Sequence, residues 1–152
     1  MESLFTNSLN YEYRNRELVI FKQTILMTDK KKQIAYWIDT AKSDLDTAEL
    51  LIRESRFLHG LFFCHLAIEK GIKAYVVKTT MEIPPKSHNL IYLIDLAELT
   101  VNEQDENLLG VLMKYQLEGR YPNHDPEIPS KNKALDYLNR TKELLKWLVK
   151  KL

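Results

Sequence analysis

The sequence predicts an all-α fold, an up-down antiparallel bundle of four to five helices. Three observations carry this expectation. Apolar residues recur at spacings of three and four along most of the chain, and no stretch alternates as a half-buried strand would. Four glycines and five prolines are too few to punctuate a many-stranded sandwich or barrel. A chain of 152 residues, 45% apolar and 28% charged, suits one soluble domain that needs no staples.

The first residues stand apart. Leu18, Val19, Phe21, Ile25 and Leu26 are spaced compatibly with a short helix, without the apolar core and cleavage site of a secretory signal. Met27, followed by Thr28-Asp29 and a Lys30-Lys31-Lys32 run, leaves two readings of residues 1–26, an appendage or an extended gene start, with the appendage preferred. Residues 1–28 are therefore expected to be an N-terminal extension and residues 29–152 the helical bundle.

From Ile34 a stripe of Trp37, Ile38, Ala41, Leu45, Ala48 and Ile52 marks the first bundle helix, with Asp39, Lys42, Asp46, Glu49 and Arg53 opposite. Ser55–Gly60 reads as a turn. Leu61–Val77 is a second helix, apolar almost all round, which places it at the centre of a bundle or in a dimer interface. Its polar exceptions His65, Glu69 and Lys73 lie four apart on one side. They suit either an i,i+4 pair snorkelling at the bundle edge or a buried network that fixes the fold.

Pro84-Pro85 ends that region, and Ser87 or Asn89 caps a third helix with Leu90, Ile91, Ile94 and Ala97 facing inward. A fourth follows Asn102, with Leu108, Leu109, Leu112, Met113 and Tyr115 on its apolar face, and stops near Gly119. Arg120–Pro129 holds three prolines and reads as a loop. Ser130 caps the last helix, whose stripe is Ala134, Leu138, Thr141, Leu145, Leu148 and Leu152.

Charge and chemistry exclude more than they assign. The formal net charge of +1 gives no bulk reason for nucleic-acid binding. By segment, residues 81–128 carry nine acids against three bases, and residues 131–152 seven bases against two acids. The basic last helix is either a solvated face or a strip that meets phosphate. There is no Gly-rich phosphate loop, no His-Glu-x-x-His and no metal-ligand spacing among His59, His65, His88 and His124, so no metal and no cofactor are expected. The lone Cys64 excludes a disulfide framework, reads as a core thiol and suits a reducing cytoplasm. No stretch approaches the roughly 20 apolar residues of a membrane span.

Four short motifs, in order, resemble the HEPN domain family. Trp37–Leu50 is similar to its W-x-x-x-A-x-x-D-L-x-x-A opening helix, and Ala67-Ile68-Glu69-Lys70-Gly71-Ile72-Lys73-Ala74 to its A-x-E-K-x-x-K-A helix. Ser87-His88-Asn89-Leu90 matches the T/S-H-D/N-L lead into its third helix, and Arg120-Tyr121-Pro122 the R-Y-P turn before its last helix. The resemblance covers about Gln33 to Leu152.

This resemblance implies a bundle of four main helices plus a shorter one, usually dimeric, that binds nucleotide or RNA. It also implies a nucleotidyltransferase partner in a toxin–antitoxin-like pair. Lys70, Lys73, His88, Arg120 and Tyr121 are the implied phosphate-binding residues. Active members are metal-independent ribonucleases with an arginine followed, after about four to six residues, by a histidine. An arginine clamps phosphate bidentately and a histidine moves the 2′-OH proton. Here Arg120 and His124 would carry that chemistry, but only three residues separate them. The alternatives are a ribonuclease toxin using this pair and a non-catalytic dimerisation or interaction module. As a structural residue, Arg120 would pair with Glu69 or Glu118.

Overall fold

The structure, a computed structural model, describes residues 2–121 and 126–152, with side chains from Tyr13 onward. It divides into two compact units, Met1–Lys32 and Gln33–Leu152. Among the described residues there are five helices and no strand: α1 (Glu2–Arg53), α2 (Phe57–Thr80), α3 (Leu90–Leu96), α4 (Glu103–Arg120) and α5 (Lys131–Lys151). None is long and apolar enough to cross a membrane.

Helix α1 is longer than the pattern suggests. The expected short N-terminal helix and the first bundle helix are one continuous element of 52 residues. The reason is composition: no glycine or proline occurs before Gly60, so nothing breaks the backbone ladder. Even Thr24 and Thr28 join it, their hydroxyls donating to the carbonyls of Ile20 and Thr24 at 2.9 Å. Within the second unit, Ile38, Ala41, Ala48 and Ile52 are buried, while Ile34, Trp37 and Leu45 are half-buried.

Helix α2 begins four residues before the expected Leu61. Gly60, read as a turn residue, lies inside the helix and marks a close approach instead. A Cβ there would stand 2.4 Å from Ile52 Cγ1 and 3.2 Å from the Ala48 carbonyl. The turn is shorter, Glu54–Arg56, with Ser55 at a positive φ of 60°.

Helix α2 packs against α3, α4 and α5 and, through Gly60, against α1. Its apolar surface, including Leu61, Cys64, Ala67, Ile68, Ile72 and Val76, is buried within the chain. The sequence offered this surface as a reason to expect a dimer; tertiary packing already covers it. Burial pushes the Cys64 thiol up to about 12, so it stays protonated and packs as a small apolar group.

The caps fall at the expected polar residues. Asn89 Oδ1 accepts from the Tyr92 amide at 3.0 Å, while Ser87 Oγ accepts from the Asn89 amide at 3.2 Å. Asn102 and Ser130 cap α4 and α5 in the same way. Each such cap stabilises its helix by about 1 kcal/mol. Part of the basic face of α5 is neutralised locally: Lys142 lies 2.8 Å from Glu49 of α1, and Arg140 donates to the Gln104 carbonyl at 2.6 Å.

Candidate functional site

The polar exceptions of α2 do not snorkel. His65, Glu69 and Lys73 are all buried, at 0%, 4% and 6% exposure. One helix turn separates each from the next, so the three side chains stack along a single line, and the segment before α3 closes over that line.

Glu69 is the hub. Its Oε1 accepts from Lys73 Nζ at 2.7 Å, and its Oε2 accepts from His88 Nδ1 at 2.9 Å. Burial pushes the carboxyl up, but the two donors together outweigh burial and hold it below the ordinary carboxylate range. Lys73 also lies 5.5 Å from the Trp37 ring of α1, a cation–π contact that shields its charge. A charge this deep is tolerated only because donors surround it.

His65 makes the second tie to the segment before α3. Its Nε2 lies 2.9 Å from the His88 carbonyl, and a carbonyl only accepts, so Nε2 carries the hydrogen. Nδ1 then faces Glu69 Oε2 at 3.6 Å, too far for a hydrogen bond, and has no other partner among the described residues. Burial pulls the imidazole down to about 4, with the Glu69 charge and the bond to the His88 carbonyl opposing the shift and the Arg120 charge reinforcing it. His65 is neutral at pH 7. His88 is thus held twice, by its backbone carbonyl and by its ring. The side chain remains 44% exposed, and Nε2 makes no hydrogen bond to any described residue.

Arg120 ends α4 beside this cluster, close enough for its charge to disfavour protonation of His65. Gly119 permits the approach: a Cβ there would lie 2.7 Å from Phe62 Cδ2. The guanidinium carbon sits 6.0 Å from the centroid of the Phe62 ring. Arg120 is exposed, and it pairs with neither Glu69 nor Glu118, the partners named for its structural reading. Glu69 is saturated by Lys73 and His88, and Glu118 points inward with Oε2 buried and unbonded. Tyr121 follows, 72% exposed.

The expected phosphate-binding residues therefore separate into groups. Lys73 and His88 converge on Glu69, whereas Arg120 and Tyr121 are exposed at the end of α4. Lys70 turns away to an ion pair with Asp44 Oδ2 at 2.6 Å. His124 lies outside the described residues, as does Pro122 of the R-Y-P turn. Among the described residues, no group of three or more His, Cys, Asp or Glu side chains is placed to hold a metal ion. Phe62 has no signal in a single sequence, because one more aromatic in an apolar helix looks like any other core residue.

The comparisons with known proteins agree with this architecture. The model of the HEPN domain matches residues 34–152. The crystal structure of TT1696 from Thermus thermophilus superposes with a TM-score of 0.66 at 22% identity, covering 79% of this chain and 98% of that one. That of ST0689, an archaeal HEPN homologue, does so with a TM-score of 0.60 at 21% identity, covering 78% and 96%. These two likenesses show the fold. No curated protein is significantly similar to the chain. With the family model spanning the second unit almost completely, the chain belongs to the HEPN domain family.

Proposed function

We propose that the chain binds the phosphate of a nucleotide or of RNA at the end of α4, with Arg120 as the anion clamp. The observation that carries this reading is an exposed guanidinium that forms no ion pair among the described residues. It stands beside an aromatic face, the Phe62 ring. An arginine at a helix C-terminus already favours the helix dipole, but such a role leaves its planar donors unspent. Phe62 and Tyr121 add aromatic surface next to the charge, the combination that single-stranded nucleic acids use. The family resemblance adds a nucleotidyltransferase as protein partner, in a toxin–antitoxin-like pair.

Titration calorimetry with nucleotides and a short single-stranded RNA tests the phosphate reading. Arg120→Ala should weaken binding about tenfold or more, since it removes charge-assisted bonds. Wild-type protein that binds none of these ligands would sink the proposal. Co-purification with the product of a neighbouring nucleotidyltransferase gene tests the partner.

The same exposed guanidinium, unpaired among the described residues, favours a second reading, metal-independent RNA cleavage with His124 as the proton-transfer group. Cleavage that persists in chelator and disappears in Arg120→Ala and His124→Ala is its expected signature. We also propose a homodimer, supported by the exposed apolar residues Leu18, Phe21 and Ile25 of α1, which are 55%, 65% and 44% accessible. A monomer by light scattering at micromolar concentration would exclude it.

A further inference from the structure

The first unit of the chain precedes the family match and carries apolar surface that no described residue covers. Its apolar residues come in two blocks, Leu18–Phe21 and Ile25–Met27, each side chain 44–65% exposed. Four consecutive residues at 3.6 per turn reach every side of a helix, so no face of this stretch is left wholly polar. A helix apolar all round is stable only when something packs on it. Helix α1 is unbroken and has neither glycine nor proline at which to fold back over itself, so the cover comes from another molecule. Charge describes that molecule: residues 13–32 hold six bases against two acids, Glu17 and Asp29, so the complement is acidic as well as apolar.

The bundle offers that complement at the corner between α3 and α4. Residues 87–113 include Asp95, Glu98, Glu103, Asp105 and Glu106 and neither lysine nor arginine. Glu103, Asp105 and Glu106 suit the first turn of α4, where the helix dipole favours them. Asp95 and Glu98 have no such reason, because they stand at the C-terminal end of α3, where the dipole disfavours an acid. Tyr92, 47% exposed, adds apolar surface to the same element. Beside it a cavity of about 410 Å³ is lined by Asp105 of α4 and by Glu143 and Trp147 of α5. Two carboxylates next to an indole suit a lysine or arginine side chain, charge to the acids and stem to the ring. That ring already takes one cation, Lys151 Nζ, at 4.6 Å.

We infer that residues 13–32 of one copy dock on the α3–α4 corner of a second copy, and that a two-fold axis makes the exchange reciprocal. A basic, apolar arm and an acidic, apolar corner then meet within a sequence whose net charge is only +1. The inference rests on the homodimer reading above and deepens it by assigning the surfaces in contact.

Sedimentation of the full chain gives the dimer dissociation constant. Lys31→Glu with Lys32→Glu should raise it about tenfold, and Asp95→Lys with Glu98→Lys should do the same. The protein carrying all four substitutions should recover the wild-type value, a restoration that damage to folding does not produce. Circular dichroism establishes that each variant is folded. Carbodiimide, applied to a mixture of unlabelled and nitrogen-15-labelled copies, should join arm lysines to corner carboxylates in peptides of mixed isotope content. A monomeric wild type overturns the homodimer reading and the inference with it. A dimer that the charge reversals do not weaken, or that the fourfold variant does not restore, overturns the inference and leaves the homodimer intact. Linked peptides drawn only from single copies do the same.

Discussion

Two ion pairs of nearly the same length hold very different places in this molecule. Glu69 and Lys73 meet at 2.7 Å with side-chain exposures of 5% and 7%; Glu127 and Lys114 meet at 2.6 Å with exposures of 75% and 49%. Distance does not rank them. In the first pair, water is excluded and every partner lost leaves a charge stranded; in the second, water replaces whatever is removed. The buried pair also shares its carboxylate with His88, so it organises a site, whereas the exposed pair links α4 to the segment before α5 and nothing more.

The largest expected effect comes from breaking the buried pair on one side. Glu69→Ala leaves Lys73 uncompensated and removes the acceptor of His88, and should cost about 3–5 kcal/mol in urea unfolding. A loss below about 1 kcal/mol would show that water reaches Lys73 and that the two pairs are alike. Removing both charges sharpens the point: Glu69→Leu with Lys73→Leu should be less damaging than Glu69→Ala alone. If the double variant is the worse of the two, the pair contributes through its own attraction rather than by avoiding an unpaired charge.

Acid should act on the buried cluster next. In the unfolded chain, His65 takes up a proton as pH falls below about 6.5, while the folded chain resists until about 4. The unfolded state therefore binds more protons in that window, and stability falls with decreasing pH by about 3 kcal/mol in all. Glu69 adds to the loss at still lower pH. Its carboxyl is held below the ordinary value, so its contribution is complete above about 4.5 and disappears as pH falls through the lowered value. His65→Gln should flatten the stability profile between pH 6.5 and about 4; an unaltered slope would assign it to other groups. The smallest effect is at the exposed pair, where Lys114→Ala should leave the melting temperature unchanged within error.

Much of the fold was readable because it depends on local pattern. The stripes of α1, α4 and α5 and the caps at Asn89, Asn102 and Ser130 are spacing and chemistry within a few residues. One reading failed, and others stayed open, where a local cue admits two tertiary outcomes. Gly60 suits a turn or a tight helix crossing, and only Ile52 on the facing helix decides between them. A Glu–Lys pair at i,i+4 suits an exposed face or a buried one, and only the segment that closes over Glu69 makes it buried. Arg120 suits a structural pairing or a phosphate contact, and only the packing shows that Glu69 is occupied and Glu118 turned inward.

By itself, then, the sequence determined an all-α bundle, its helix order, its caps and its membership in the HEPN domain family, because periodicity and short motifs are properties of neighbours along the chain. Tertiary structure alone decided that α2 consumes its own apolar surface and that His65, Glu69 and Lys73 are buried. It also decided that His88 is tied through Nδ1 to Glu69 with its ring half-exposed, and that Arg120 rests against Phe62 without a carboxylate partner among the described residues. Those outcomes depend on which residues, distant in sequence, compete for the same donor, acceptor or volume, and that competition is resolved only when the helices pack.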